Sequence, residues 1–305
     1  MEDEELRRFK TEIDLRDFAA SYGFVRDEKE SSKGVDMMRS GGEKIAVKWA
    51  PDSLKGFEIW KYCNNSNADD NGTIIDFLKN RGGGSLGNIR KTLRNWCGGD
   101  RPEIKRGLFA PLVSVPTDTK LVLLEWEKAK FRAAVPYLVS RGLAVTLTGS
   151  PRFAGKYRVD WRGNVLFPHR NLEGLCGFEI KNHNFTGFSK HGVKGLWSSV
   201  CFKEDQNLVI TESAIDGLSH AALFPDPSAR YVSIGGSMSP EQLELLRLAM
   251  AKMEGKVFLA FDNDQGGDRL ADQVKAVAPV GAQIVRLRPV RKDWNEDLKA
   301  KLGLE

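Results

Sequence analysis

Glu212, Asp262 and Asp264 are the residues of this sequence whose types and spacing could do chemistry together. Glu212 directly follows the run Leu208-Val209-Ile210-Thr211. Asp262 directly follows Val257-Phe258-Leu259-Ala260-Phe261, and Asp264 stands two residues on. Residues two apart in extended chain point to the same side, so Asp262 and Asp264 can converge. A neighbouring strand can bring Glu212 against them. Three packed carboxylates repel one another, and a bound Mg2+ or Mn2+, which prefers oxygen donors, relieves that repulsion. One acidic residue after a strand is more often a helix cap, and Asp-x-Asp alone is a common loop feature. Two such strand ends in order, with Gly266-Gly267 turning into a helix, are much less common by accident.

Holding these groups requires alternating strands and helices, and the last third of the chain has that pattern. Strands are predicted at Leu208–Thr211, Tyr231–Ile234, Val257–Phe261 and Gln283–Leu287. Helices are predicted at Ala214–Phe224, from Ser239-Pro240-Glu241-Gln242 onward, where serine caps and proline opens the first turn, and at about Asp268–Ala278. This order implies a mainly parallel sheet covered on both faces, with ligands beyond the C-terminal strand ends.

Two further blocks precede it. In the first, Leu15, Phe18, Ala19 and Tyr22 have helical spacing ended by Gly23, and Ile45–Trp49 and Phe57–Tyr62 read as strands. Asn71-Gly72-Thr73 turns into a short helix, Leu86, Ile89, Leu93 and Trp96 mark another, and Cys97 to Pro102 reads as a linker. In the second, Pro-containing extended chain leads to a helix over Leu121–Ala134. A hairpin follows, with arms Asn164–Pro168 and Leu175–Ile180. The expected fold is therefore α+β and multi-domain: a small α+β module at 1–100, a mixed α+β segment at 104–204 and an α/β domain at 205–305.

With 305 residues, 41% of them hydrophobic, the chain can bury more than one core. A net charge of +5 permits a polyanionic partner without requiring one. Four scattered cysteines form no Cys-x-x-Cys pair and no zinc spacing with the four histidines, which fits a reducing cytosol. The acidic N-terminus has no apolar core and no run is long enough to span a bilayer, so a cytoplasmic protein without a membrane partner is expected.

The run from Val209 to Asp216 resembles the first TOPRIM motif, and Phe261-Asp262-Asn263-Asp264-Gln265-Gly266-Gly267 resembles the second. Val232 to Gly236 is similar to the strand and glycine turn between them. Lys292 to Glu296 resembles the acidic segment closing this domain in primases. The middle block, Arg162 to Asn171 with Gly174 and Gly177-Phe178, resembles the polymerase core of bacterial replicative (DnaG-type) primases. Lys194-Gly195-Leu196-Trp197 is similar to their basic segment. The first block has the layout of the primase zinc-binding module but offers only Cys63 where ligands belong.

The resemblance implies a metal site of Glu212, Asp262 and Asp264, joined by Asp216 and Asp293 and filled by Mg2+ or Mn2+. It implies a basic surface beside that site, formed by Arg162, Arg170, Lys190 and Lys194, for template phosphates or nucleoside triphosphates, with Asn164 as a further nucleic-acid or nucleotide contact. No zinc is expected in the N-terminal module, which is held by packing Trp49, Trp60, Phe77 and Trp96. There Lys48, Lys55, Lys61 and Tyr62 are placed to touch single-stranded DNA, the core being the plainer assignment for Trp60 and Trp96 while Tyr62 stays open between core and strand contact. The overall order is most like primase-like proteins of plasmids and other mobile elements. The implied partners are a helicase, or replication and defence proteins of such elements, with little chain left after the last domain to dock a helicase.

A primase, a TOPRIM nuclease using the same carboxylates, and a non-catalytic nucleic-acid-binding subunit are the competing functions. A topoisomerase is unlike this chain, which has no room for strand-gating domains.

Overall fold

The computed structural model of the chain describes residues 3–51, 57–64, 67, 70–98, 109 and 117–304. They fall into two compact units, Met1–Val115 and Pro116–Glu305. Lys55, the expected linker past Gly98 and most of the Pro-containing stretch that follows lie outside the described residues.

The first unit opens with helices α1 (Glu4–Glu12) and α2 (Leu15–Ser21), capped by Asp3 and Asp14. Strands β1 (Val25–Arg26), β2 (Asp36–Ser40), β3 (Glu43–Pro51), β4 (Glu58–Asn64) and β5 (Asn71–Gly72) form an antiparallel sheet in chain order. Helices α3 (Ile74–Asn80), started by a Thr73–Asp76 capping box, and α4 (Leu86–Gly98) complete the unit. Phe18, Phe77 and Trp96 are buried together, with the Phe18 and Trp96 rings 4.9 Å apart. Trp60 is also buried, and Trp49 packs at the margin of the same core, opposite it across β3 and β4.

A polar cluster, unread in the sequence, closes the end of this sheet. Asp70 is 6% exposed and accepts hydrogen bonds from Tyr62 Oη (2.5 Å), Asn64 Nδ2 (2.9 Å), Asn80 Nδ2 (3.0 Å) and the Arg81 guanidinium (2.7 and 3.0 Å). Burial works to raise its carboxyl. The hydrogen bonds, that of Arg81 foremost, outweigh it and hold the group at about 2.

The second unit begins with α5 (Thr119–Lys128), capped by Asp118, then α6 (Pro136–Ser140) and α7 (Val145–Thr148). The expected helix to Ala134 stops early because Lys130 leaves it to bridge Val159. Strands β6 (Arg158–Val159), β7 (Val165–Asn171), β8 (Gly174–Lys181) and β9 (Thr186–Phe188) form an antiparallel sheet in chain order, so the predicted hairpin is its centre.

The rest alternates: β10 (Trp197–Ser198), β11 (Asn207–Thr211), α8 (Ala214–Leu223), β12 (Ala229–Ser233), α9 (Pro240–Met250), β13 (Lys256–Leu259), α10 (Gln265–Ala276), β14 (Gln283–Arg286) and α11 (Trp294–Leu302). The sheet order is β10-β12-β11-β13-β14. All pairs are parallel except edge strand β10 against β12. One apolar layer joins Phe153, Tyr157 and Phe167 of the middle segment to Val209, Leu218 and Trp294. A second packs Leu246 and Met250 of α9 and Val274 of α10 on Ile210, Val232 and Leu259. The sheet is thus apolar on both faces, as a parallel sheet requires.

Candidate metal centre

The two carboxylate-bearing strands are neighbours. β11 and β13 pair directly, with Ile210 opposite Leu259, so Glu212 and Asp262 leave the same edge of the sheet. Gly235 and Gly236, after β12, donate backbone hydrogen bonds to the Glu212 carbonyl at 2.8 and 3.2 Å. Gly235 has φ +69, and a Cβ there would lie 2.8 Å from the His169 ring, so this turn needs glycine.

The second turn is equally constrained. Asp264 caps α10, its Oδ1 accepting from Gly267 N at 2.8 Å. A Cβ on Gly267 would stand 2.1 Å from the Asp262 carbonyl oxygen, so the loop closes only around a glycine. Arg286 donates to the Phe261 and Asp262 carbonyls, both at 2.7 Å, and fastens the loop from below. Asn263 N donates to the Lys292 carbonyl at 2.8 Å, tying in Asp293, which caps α11. Asp216 lies in the first turn of α8, 7% exposed, accepting from Ser213 Oγ at 2.6 Å.

The charges of these carboxylates act on one another. Burial pushes the Asp262 carboxyl up to about 9, and the charges of Asp216, Glu212, Asp293 and Asp264 add to the shift. Burial, with Asp293 and Glu212, pushes Asp216 up to about 7 against the Ser213 hydrogen bond. Burial and Asp264 raise Glu212, while Lys181, Lys194 and Lys292 oppose them. Asp262 Oδ1 is buried without a hydrogen-bond partner.

Among the described residues no three potential ligands already converge as a cage. Mg2+ does not need one, since it keeps several waters and takes one or two carboxylates directly. An all-oxygen donor set, an orphaned buried carboxylate oxygen and mutually repelling charges fit such a hard cation. Glu212, Asp262 and Asp264 could hold it, with Asp216 and Asp293 behind them.

The basic residues are distributed differently. Lys194 stands at the carboxylate edge, its Nζ donating to the Gly235 carbonyl at 2.6 Å. Lys181, whose Nζ lies 3.5 Å from Glu179, and Lys292 both act on Glu212 through their charge. The sequence shows Lys292 only within a motif and does not single out Lys181, although its place at the end of the hairpin's second arm is a signal. Arg162 lies over the Trp161 ring at the exposed turn before β7. Asn164 is buried and engaged with Asp160 and Asn182, and Lys190 is exposed. Arg170 points into a different cleft, described below. In the first unit Lys61 Nζ reaches the Pro51 carbonyl, Lys48 is exposed, and Tyr62 is 3% exposed with its hydroxyl on Asp70. The Tyr62 ring is core and offers no face to a base.

Beneath the site, His220 of α8 is 5% exposed and packs on Trp294, ring centroids 4.9 Å apart. Burial pulls its imidazole down to about 4, with Asp226 partly opposing. The unfolded chain therefore binds this proton first as pH falls, and stability is lost between about 6.5 and 4. The expected loss is about 3 kcal/mol. The difference between the chain and His220→Leu in urea titrations across that range should show it, and a difference independent of pH would refute it.

This arrangement, carboxylates at the C-terminal edge of a mainly parallel sheet, is that of a Toprim-like domain, and residues 209–298 match the family model described as Toprim-like. No curated protein matches the chain. Among solved structures it is similar to the primase fragment of the bacteriophage T7 primase-helicase protein. That pair shares 16% identity over 69% of this chain and 82% of that one, with a TM-score of 0.45. A second similar structure is bacteriophage T7 lagging-strand DNA polymerase interacting with primase domains of two gp4 subunits bound to an RNA/DNA hybrid and dTTP. There the identity is 18%, over 56% of this chain and 86% of that one, with a TM-score of 0.41. No helix of the described residues is long and apolar enough to cross a membrane.

Proposed function

We propose that the chain is a primase-like nucleotidyltransferase that joins nucleotides on single-stranded DNA at the Glu212–Asp262–Asp264 edge. The observation that carries this reading is the buried Asp262 Oδ1 without a hydrogen-bond partner, on a carboxyl raised by the charges of four other carboxylates beside a Glu212 that three lysines counter. Carboxylates crowded without cations would only repel. Carboxylates flanked by Lys181, Lys194 and Lys292 suit a polyphosphate bridged to protein through divalent metal.

Glu212, Asp262 and Asp264 would hold Mg2+ or Mn2+, which when bound neutralises phosphate charge and polarises the reacting oxygens. Asp293 is fixed as the cap of α11, and Asp216 is fixed by the hydroxyl of Ser213, the cap of α8. Lys194 and Lys292 bind and orient the triphosphate, and Arg286 keeps the Asp262 loop rigid. The template strand, the triphosphates and a mobile-element or helicase partner belong to the same proposal. So do a cytoplasmic location and the division of the chain at 1–100, 104–204 and 205–305.

Incubation with single-stranded DNA, labelled nucleotides and Mg2+ or Mn2+ tests it. New short oligomers support the proposal. Shortened DNA would replace it with a nuclease, and unchanged DNA and nucleotides with a binding subunit.

A further inference from the structure

A separate cleft of about 240 Å3 opens along edge strand β10, on the face of the sheet that α9 covers. Its floor is apolar, from Val232 of β12 and Leu245 and Ala249 of α9. Its rim carries Arg170, Arg230 and Lys252. Arg230 pairs with Leu208, three residues before the level of Thr211, which places it about 10 Å down the strand from the carboxylate edge.

Three observations mark this rim as built for an anion. Among the described residues, no ion pair or side-chain hydrogen bond engages the charged groups of Arg170, Arg230, Lys252 or the neighbouring Lys156. Arg230 Nε is buried without a partner. The Lys156 amine is half-buried and held below its ordinary value by burial, then by Arg170 and Arg230, so three cations converge without a counter-charge. Glu241, beside the rim, accepts from Asn171 Nδ2 at 3.2 Å.

We infer that this cleft binds one nucleotide unit. Its phosphate would sit on Arg170, Arg230 and Lys252, and its sugar or base on the aliphatic floor. The volume lies below the ~300–1,000 Å3 of drug-sized pockets, which suits a single unit rather than a dinucleotide. The unit comes from a polynucleotide strand leaving the carboxylate edge or from a free nucleotide. The inference rests on the nucleic-acid reading but not on catalysis.

The test is binding of a fluorescent oligothymidylate, and separately of ATP, to the full chain in EDTA. Arg230→Ala and the exposed Lys252→Glu serve as independent variants, with circular dichroism to confirm folding. A strand in the cleft predicts five- to tenfold weaker oligonucleotide binding, roughly, and a log–log salt slope shallower by about 0.7 for each lost phosphate contact. A free nucleotide in the cleft predicts the same loss for ATP with oligonucleotide binding unchanged. If folded Lys252→Glu matches the parent chain for both ligands, or if the parent chain binds neither, the cleft is not a nucleotide site. A chain that binds through the cleft yet makes no primers would keep this inference and end the catalytic one.

Discussion

Asp264→Asn is expected to abolish primer synthesis while leaving the fold as stable as before or slightly more so. Asparagine caps a helix about as well as aspartate, so the bond from Gly267 N that starts α10 survives. The charge that helps raise Glu212 and Asp262 disappears, which relieves the repulsion at the edge. Metal coordination loses an anionic ligand. Changes behind metal ligands cost ~10–100-fold, and loss of a ligand should cost roughly 100-fold or more. Were Asp264 only a cap, the substitution would be silent in both activity and stability. Steady-state synthesis and thermal melts on the same preparation separate the two roles, and a variant of normal activity would end the metal-ligand reading.

The largest stability effect is expected in the N-terminal unit. Asp70→Ala removes the acceptor shared by Tyr62, Asn64, Asn80 and Arg81 and leaves Arg81, which lies over the Phe77 ring at 4.0 Å, with the more exposed Glu43 as its one carboxylate partner among the described residues. Breaking a buried charge pair from one side costs about 3–5 kcal/mol. Hydrogen exchange of the β3 and β4 amides should report that loss, while the amides of β11 and β13, in the other unit, stay protected. The wild-type contribution also has a pH signature. The Asp70 carboxyl is held at about 2 in the folded chain, below its ordinary 3.8, so its stabilisation is complete above 3.8 and fades as pH falls toward 2. Protection unchanged in Asp70→Ala would show that the network contributes little.

These two sites differed in how readable they were. The carboxylate edge was legible because its signals are local: apolar runs ending in acids and a glycine two residues past Gln265, each dictated by backbone geometry within a few positions. The Asp70 network was not, since its members come from β4, the turn before β5 and the end of α3, and meet only through the register of the sheet. Lys181, paired with Glu179 at 3.5 Å, acts on the carboxylates only through charge, and its place depends on the pairing of β7 with β8 rather than on sequence spacing. Arg170 follows from ordinary strand alternation: His169 is buried against Glu179, and Arg170, the next residue of β7, is exposed at the separate cleft. Helix α11 was readable only as an acidic segment, because its contacts, Trp294 to the Ala260 carbonyl and Asn295 to Ser219, join distant parts of the chain.

Uptake of a divalent cation by the carboxylate edge decides the metal reading. Calorimetric titration of Mn2+ into the full chain, beside Asp264→Asn, measures this without relying on any particular template or nucleotide. Saturable binding by the parent chain is predicted, weakened at least about tenfold in the variant. No saturable binding, or equal binding by both proteins, would contradict it.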